Sequence, residues 1–349
     1  MTPIGYCLIG YGRIAQAHLA AVASLKESIR LVAIVSRNTA KAEAAAKDFG
    51  AKKVYSTIEE AVRDREVEAV DICLPHHLHE SAAVLAARQG KHILIEKPLA
   101  RNLEEADRII TAAKSGGVTL MVGQSRRFTN AVFESKKLVE EGRIGRVRNI
   151  VATMWGYMPE APVAWWKSSR LAGGLLMSLW APHIVDYILW IYGQPPSSVY
   201  AEMYNVRPDK WEGEDEVNLA FNFDNNAMAN VYMSWNVVEG VAQDSSKMWS
   251  SKNGRYERVV VGERGRMILE DDTELSVNGE QVVSGPQEPS SFYLELREFV
   301  AAISEGREPL TSGRDNRKVI QVIEACRVAA AKHCVVGVER KAIDGALIE

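Results

Sequence analysis

A chain of 349 residues is long enough for two domains, each with its own core. Hydrophobic residues make up 47% of it and charged residues 25%, and a formal net charge of -3 gives no electrostatic reason for a nucleic-acid or anionic-membrane partner. The longest apolar runs fall well short of a membrane span, and MTPIGYCLIGYG lacks a basic n-region, so no signal peptide is expected. Cys7, Cys73, Cys326 and Cys334 show no CxxC pairing, which fits a reduced, cytoplasmic setting.

Strands and helices alternate through the first third. Apolar runs predict strands at Tyr6–Ile9, Leu31–Val35, Val54–Tyr55, Ala69–Leu74, Ile93–Ile95 and Thr119–Val122. Helical spacing separates them at Arg13–Leu25, Thr39–Asp48, Ile58–Asp64, Glu80–Gln89 and Leu103–Lys114. This order predicts an α/β fold that opens with a doubly wound parallel sheet, a Rossmann domain over residues 1–123. From 124 to 349 the pattern changes. After a helix at Asn130–Glu141, strand-like segments dominate: Val147–Tyr157, Ser198–Tyr204, Val217–Phe223, Met228–Trp235, Glu257–Val261 and Met267–Leu269. They predict a large open, mostly antiparallel sheet. A helix carrying His183 interrupts them, and helices at Phe292–Ser304 and Arg314–Lys332 close the chain. Asn205–Asp215 and Val241–Tyr256 have no clear period and read as long loops.

Between the first strand and helix, Gly10-Tyr11-Gly12-Arg13-Ile14-Ala15 fits GxGxxA. Gly10 permits the tight turn, Gly12 lets the backbone approach a pyrophosphate, and Ala15 allows close helix–strand packing. The N–H groups of the following helix would face the phosphates, with Arg13 and Ile14 at its start. An acidic residue at the end of the second strand would bind the ribose diol of NAD. Here that turn reads Val35-Ser36-Arg37-Asn38, without a carboxylate. Arg37 can lie against a 2′-phosphate with Ser36 donating a hydrogen bond, so NADP is favoured and NAD is the alternative. The strand ending in Ile95 delivers Glu96, Lys97 and Pro98 to the carboxyl edge of the sheet, where ligands sit in such folds.

The glycine turn together with EKP resembles the Gfo/Idh/MocA oxidoreductases (glucose–fructose oxidoreductase, inositol dehydrogenase and their relatives). GYGRIA followed by His18, LPHHLHESAAVLAARQGKHILIEKPLA, GQSRRF, KLVEEGRIGRV and AGG upstream of His183 all fit, so the resemblance spans nearly the whole chain. It implies hydride transfer between NAD(P) and an alcohol carbon of a sugar, cyclitol or related polyol. It also implies a homodimer or homotetramer built on the second domain's sheet. Lys97 would be the catalytic EKP lysine, bonded to the reacting substrate oxygen, and a fixed cation there steadies the alkoxide-like oxygen that develops. Glu96 would either orient Lys97 or sit near the nicotinamide. A cis Lys97–Pro98 bond is compatible with this turn. The loop containing Leu74, His76 and His79 matches the family's cofactor-contacting loop.

The family's second catalytic segment usually reads GGG, an Asp four residues later and a His four after that. Here Gly173-Gly174-Leu175 is followed by Leu179 and His183. A one-residue slip would put Ser178 in the place of the Asp, and neither Leu179 nor Ser178 is a carboxylate. His183 keeps the catalytic position and has a suitable unperturbed pKa. It is expected to meet Lys97 over the nicotinamide, with Asp186 orienting it or contacting substrate. Trp155 and Trp166 are the aromatic candidates for the apolar face of a sugar ring. Arg127 is a substrate or cofactor contact or, equally, a structural ion-pair partner. His76, His77 and His79 have no cysteine or carboxylate completing a zinc site, so no metal is expected. The missing Asp keeps a second class open, a dinucleotide-binding sensor that has lost catalysis. Reduction of a non-sugar carbonyl, or chemistry on an aromatic diol, is also open.

Overall fold

A computed structural model describes residues 2–237 and 254–339 of the chain. Two compact units result: Met1–Phe128 with Glu288–Arg317, and Thr129–Gln287 with Lys318–Glu349.

In the first unit six strands form a parallel sheet: β1 Ile4–Ile9, β2 Ile29–Val35, β3 Lys53–Tyr55, β4 Ala69–Ile72, β5 His92–Glu96 and β6 Leu120–Gly123. Their order is β3-β2-β1-β4-β5-β6. The chain winds outward in both directions from β1, so the switch point lies between β1 and β4, where such sheets bind ligands. Helices α1 Ala15–Ser24, α2 Thr39–Phe49, α3 Ile58–Arg63, α4 His79–Arg88 and α5 Leu103–Gly116 form the connections. Local chemistry sets several of these starts. The side chains of Asn38 and Asn102 cap α2 and α5, and Thr57 and Glu60 close a capping box on α3. The central strands are buried on both faces, which is why they read as continuous apolar runs.

The sequence predicted a division into 1–123 and 124–349, whereas residues 288–317 return to the first unit. Val122 exchanges two hydrogen bonds with Thr311, its N–H donating to the Thr311 carbonyl (2.9 Å) and its carbonyl accepting from Oγ1 (2.7 Å). Gln124 donates to Asn316 (3.0 Å), and Arg317 pairs with Asp107 (2.5 Å). Leu296 and Phe299, on the helix Ser291–Glu305, join the core made by Tyr6, Leu8 and Leu19.

The second unit begins with α6 Asn130–Glu140 and β7 Val147–Gly156. Short helices α7 Ser169–Ala172 and α8 Leu176–Leu179 precede α9 Ala181–Tyr192. Then come β8 Ser198–Tyr204, β9 Glu216–Phe223, β10 Ala227–Ser234, β11 Gly254–Gly262, β12 Arg266–Glu270, β13 Glu274–Val277 and β14 Glu280–Val283. The helix Ser291–Glu305 is α10, α11 is Gly313–Lys332, and β15 is Val336–Gly337. Sheet order is β14-β13-β12-β11-β7-β10-β9-β8-β15, antiparallel except for β7 beside β10. Strand alternation gives it two unlike faces. Ile150, Ala152, Met154, Val217, Leu219 and Val231 share a core with Ile184, Val185 and Ile188 of α9. The opposite face carries Val151, Trp155, Tyr200, Glu202, Tyr204, Asn218, Met228, Asn230 and Tyr232, all exposed or half-exposed. β13 and β14 go beyond the strands the sequence predicted. The expected loop at 241–256 lies outside the described residues as far as 253, and its last three residues belong to β11. Among the described residues no single helix is long and apolar enough to cross a membrane.

Candidate active site

The glycine turn lies at the switch point of the first unit. Gly10 has φ +98°, and its N–H donates to the Val35 carbonyl (2.9 Å). A Cβ there would come within 2.5 Å of the Cys73 carbonyl oxygen, so only glycine fits the crossing of β1 and β4. At Gly12 an added Cβ would meet nothing within 4 Å. The second glycine is thus not demanded by packing. It leaves open room over the start of α1, the surface that a pyrophosphate needs. No side chain caps α1 at Ile14, and Arg13 flanks this N-terminus as an exposed residue. These features fit a bound dinucleotide. At the end of β2, Ser36 is half-buried and Arg37 exposed. Ser36 Oγ accepts from the Asn38 N–H (3.1 Å), which shapes the turn that displays Arg37.

Across the switch point, Leu74 and His76 follow β4, and His76 is buried against His79 (ring centroids 5.6 Å apart). His79 is fully buried. Its Nδ1 lies 2.9 Å from the Pro98 carbonyl and its Nε2 2.9 Å from that of Leu74, so it ties the turns after β4 and β5 together. Burial lowers its pKa.

Glu96 ends β5 and Lys97 follows it directly. The Lys97–Pro98 peptide is cis. Glu96 Oε2 accepts from the Lys97 backbone N–H (3.0 Å), while Oε1 lies 3.2 Å from His18 Nε2. The Lys97 side chain is half-buried. Desolvation lowers its pKa to about 8, opposed by the Glu96 charge and reinforced by Arg126. An amine near 8 can both donate and accept a proton close to neutrality. Arg127 is buried and donates to the Leu310 carbonyl (2.8 Å), which anchors the returning segment to the first unit.

In the second unit, His183 sits in the first turn of α9 beside Pro182 and is half-buried on a mostly buried helix. Its ring meets Trp180 edge-on at 6.0 Å. Asp186 is buried one turn on. The preceding segment is held from behind. Glu214 Oε1 accepts from the N–H groups of Leu175 (3.0 Å) and Met177 (2.8 Å). Leu179 points into the core. Ser178 Oγ donates to the Gly173 carbonyl, which also accepts from Arg327. Neither residue at the place of the family carboxylate therefore offers a carboxylate, and the Ser178 hydroxyl is engaged with the Gly173 carbonyl.

The two tryptophans proposed for sugar contact separate. Trp166 is half-buried and stacks on Trp235 (6.2 Å, 17°). Trp155 pairs with Ser234 and Arg255 and projects to the sheet face away from α9. Alternation along β7 thus sets Trp155 on the face of the sheet opposite to the one that α9 covers. The stretch 205–215 is a pinned turn. Arg207 lies between Tyr157 (5.0 Å) and Trp211 (4.6 Å), and Asp215 accepts from the Val206 N–H and Trp211 Nε1.

Beneath β5 lie three buried acidic or imidazole groups to which sequence reasoning gave no role, His18 being noted there only as following the glycine turn. His18 Nδ1 is bonded to Asp71 Oδ2 (2.8 Å), and Glu295 is buried nearby. The usable signal was Asp71, a carboxylate inside the apolar run AVDICL.

Comparison with known proteins supports the same assignment. Residues 4–124 match the model described as "Oxidoreductase family, NAD-binding Rossmann fold", and residues 133–268 match the "GFO/IDH/MocA C-terminal domain". The chain is 26% identical to levoglucosan dehydrogenase of Pseudarthrobacter phenanthrenivorans, over 95% of this chain and 97% of that protein. It is also 26% identical to myo-inositol 2-dehydrogenase of Thermotoga maritima, over 90% and 92%. The structure of a levoglucosan dehydrogenase in complex with NADH and L-sorbose superposes with a TM-score of 0.88 at 26% identity, covering 97% of this chain and 100% of that one.

Proposed function

Since the chain belongs to the GFO/IDH/MocA family of NAD(P)-dependent oxidoreductases, we propose that it interconverts a carbinol and a carbonyl on a sugar, cyclitol or related polyol, with NADP as the preferred cofactor. The observation that carries this reading is Lys97, a cation delivered by β5 to the ligand-binding edge of the sheet with its pKa lowered to about 8. The names of the relatives, which act on levoglucosan and myo-inositol, favour a polyol over other carbonyl compounds. When bound, the dinucleotide supplies or accepts the hydride.

The chain's own residues then have these roles. Gly10, Gly12 and the start of α1 hold the pyrophosphate, and Ser36 and Arg37 hold the 2′-phosphate. Lys97 bonds the reacting oxygen and stabilises the negative charge that grows on it. His183 takes or returns the hydroxyl proton, with Asp186 orienting it. Because Leu179 and Ser178 offer no acid, proton transfer falls to Lys97 and His183 alone. Trp166 presents an aromatic face to the ring.

One competing reading has a specific observation behind it. The Leu179 and Ser178 substitutions would suit a dinucleotide-binding sensor without turnover. Following dinucleotide absorbance against a panel of levoglucosan, myo-inositol, scyllo-inositol and glucose separates the two. Turnover of a panel member supports the enzyme. Tight NADPH binding with no turnover in either direction supports the sensor.

A further inference from the structure

Behind the Glu96–Lys97 turn lies a set of buried polar groups to which the proposed reaction assigns no role. Tyr6 of β1, His18 of α1, Asp71 of β4, Cys73 just beyond it and Glu295 of α10 are all at least nine-tenths buried, and Glu96 borders them. Both His18 nitrogens meet carboxylates: Nδ1 is 2.8 Å from Asp71 Oδ2 and Nε2 is 3.2 Å from Glu96 Oε1. The Cys73 thiol donates to Asp71 Oδ1 (3.5 Å), and Phe292 of α10 covers the imidazole at 5.2 Å. His18, Asp71 and Cys73 place ligand-type atoms within 4.8 Å of one another. However, each imidazole nitrogen is already bonded directly to a carboxylate oxygen, which is the geometry of shared protons and not of ligands around an ion.

Two acceptors facing the two nitrogens call for an imidazolium. Burial alone would lower the His18 pKa, but the Asp71 charge overrides it, and the ring titrates well above its ordinary value. Burial, with the Glu96 and Asp71 charges adding to it and His18 opposing, pushes Glu295 well up, so it is a neutral acid. Burial and Asp71 also raise Tyr6 and Cys73, which stay protonated. The cations His18, Lys97 and Arg126 are thus set against the carboxylates Asp71 and Glu96. A buried ion pair contributes little stability relative to well-packed apolar side chains. Its product here is geometric. With Oε1 fixed by His18, Glu96 keeps Oε2 on the Lys97 backbone N–H at 3.0 Å.

We propose that His18 is a positioning residue: an imidazolium clamped between Asp71 and Glu96, it fixes the carboxylate that holds the Lys97 backbone and sets the charge beside the Lys97 ammonium. The proposal rests on the reading of Lys97 as the group that meets the reacting oxygen. The Glu96 charge raises the Lys97 titration, and His18 is bonded to that carboxylate; with the imidazolium gone, the Glu96 charge is no longer offset by it and moves the Lys97 titration upward.

The test uses full-length protein and needs no substrate. Lys97 is labelled with trinitrobenzenesulfonate across a pH series, and the modified peptide is quantified by mass spectrometry. The midpoint is expected near 8 in the wild type. In His18→Gln it should rise by about one unit, and in Glu295→Gln, which removes no charge, it should stay in place. His18→Asn is the second variant and should shift in the same direction. Turnover in both His18 variants should fall about tenfold through kcat, with the dissociation constant for NADPH unchanged. An unmoved or lowered midpoint in folded His18→Gln or His18→Asn would overturn the proposal, as would failure of both to fold, which would make His18 a structural residue. Lys97→Ala separates this from the underlying reading. Full turnover in that variant removes the catalytic role of Lys97, whereas loss of turnover there with no shift in the His18 variants removes the positioning role alone.

Discussion

Lys97 owes its proposed chemistry to partial withdrawal from water. Desolvation favours the neutral amine, while the Glu96 charge restrains that shift, leaving the midpoint at about 8. The sign of the resulting pH dependence follows. Oxidation that uses the amine as base should gain kcat/KM as pH rises through about 8, and reduction that uses the ammonium as acid should lose it over the same range. Paired pH–rate profiles for the two directions check this, and parallel profiles would contradict it. Arg37 carries a prediction of a different kind. Exposed at the end of β2 beside Ser36, it is the proposed 2′-phosphate partner. Arg37→Asp should raise the dissociation constant for NADPH by about tenfold or more and leave NADH nearly unchanged, as read by fluorescence titration. Gly10, Gly12, Lys97 and His183 were all legible because each lies in a short motif whose spacing states its purpose. The His18–Asp71–Glu96 contacts were not, because they join residues 53 and 78 positions apart. Only folding of the parallel sheet brings them together.

Among elements, those buried on both sides were the easiest to read. β1, β2, β4 and β5 fall within three residues of their apolar runs. The β13–β14 hairpin escaped because ELSV and EQVV are short and half polar. Its turn nevertheless carries a recognisable signal. Asn278-Gly279 adopts φ +53° and +90°, the two left-handed residues of a type I′ turn. Packing behind α9 yields a stability prediction. Arg258 is 1% exposed, pairs with Asp272, and lies over Tyr187 (4.7 Å) and Tyr256 (4.3 Å). Tyr256 meets Trp180 at 5.4 Å, and Trp180 meets His183. Asp272→Ala leaves a buried guanidinium without its carboxylate and should destabilise the protein by about 3–5 kcal/mol. Urea unfolding measures this, and a loss below about 1 kcal/mol would show that the pair contributes little.

On the scale of the molecule, the two sheets differ in what covers them. Helices line both faces of the parallel sheet in the first unit. The nine-stranded sheet of the second unit keeps a face on which Val151, Tyr204 and Met228 are exposed among Glu202, Asn218, Asn230 and Tyr232. An apolar and tyrosine-rich sheet face of this extent suits the homodimer or homotetramer that the family resemblance implies. Val151→Asp with Met228→Asp should lower the mass seen by light scattering, and a mass unchanged by the pair would place assembly elsewhere. The return of 288–317 to the first unit could not be read from sequence. The apolar stripe of α10 has the same period whichever core it joins, and its place shows only in folded contacts such as the packing of Leu296 and Phe299 on Tyr6, Leu8 and Leu19 and the bonds of Val122 and Gln124 to the segment that follows.

The most direct measurement compares wild type with Lys97→Ala for dinucleotide-linked turnover of the polyol panel, with NADPH affinity determined on the same samples. The predicted result is a fall of about 10²–10⁴-fold in kcat with affinity retained. Turnover near the wild-type rate in the variant would contradict the account.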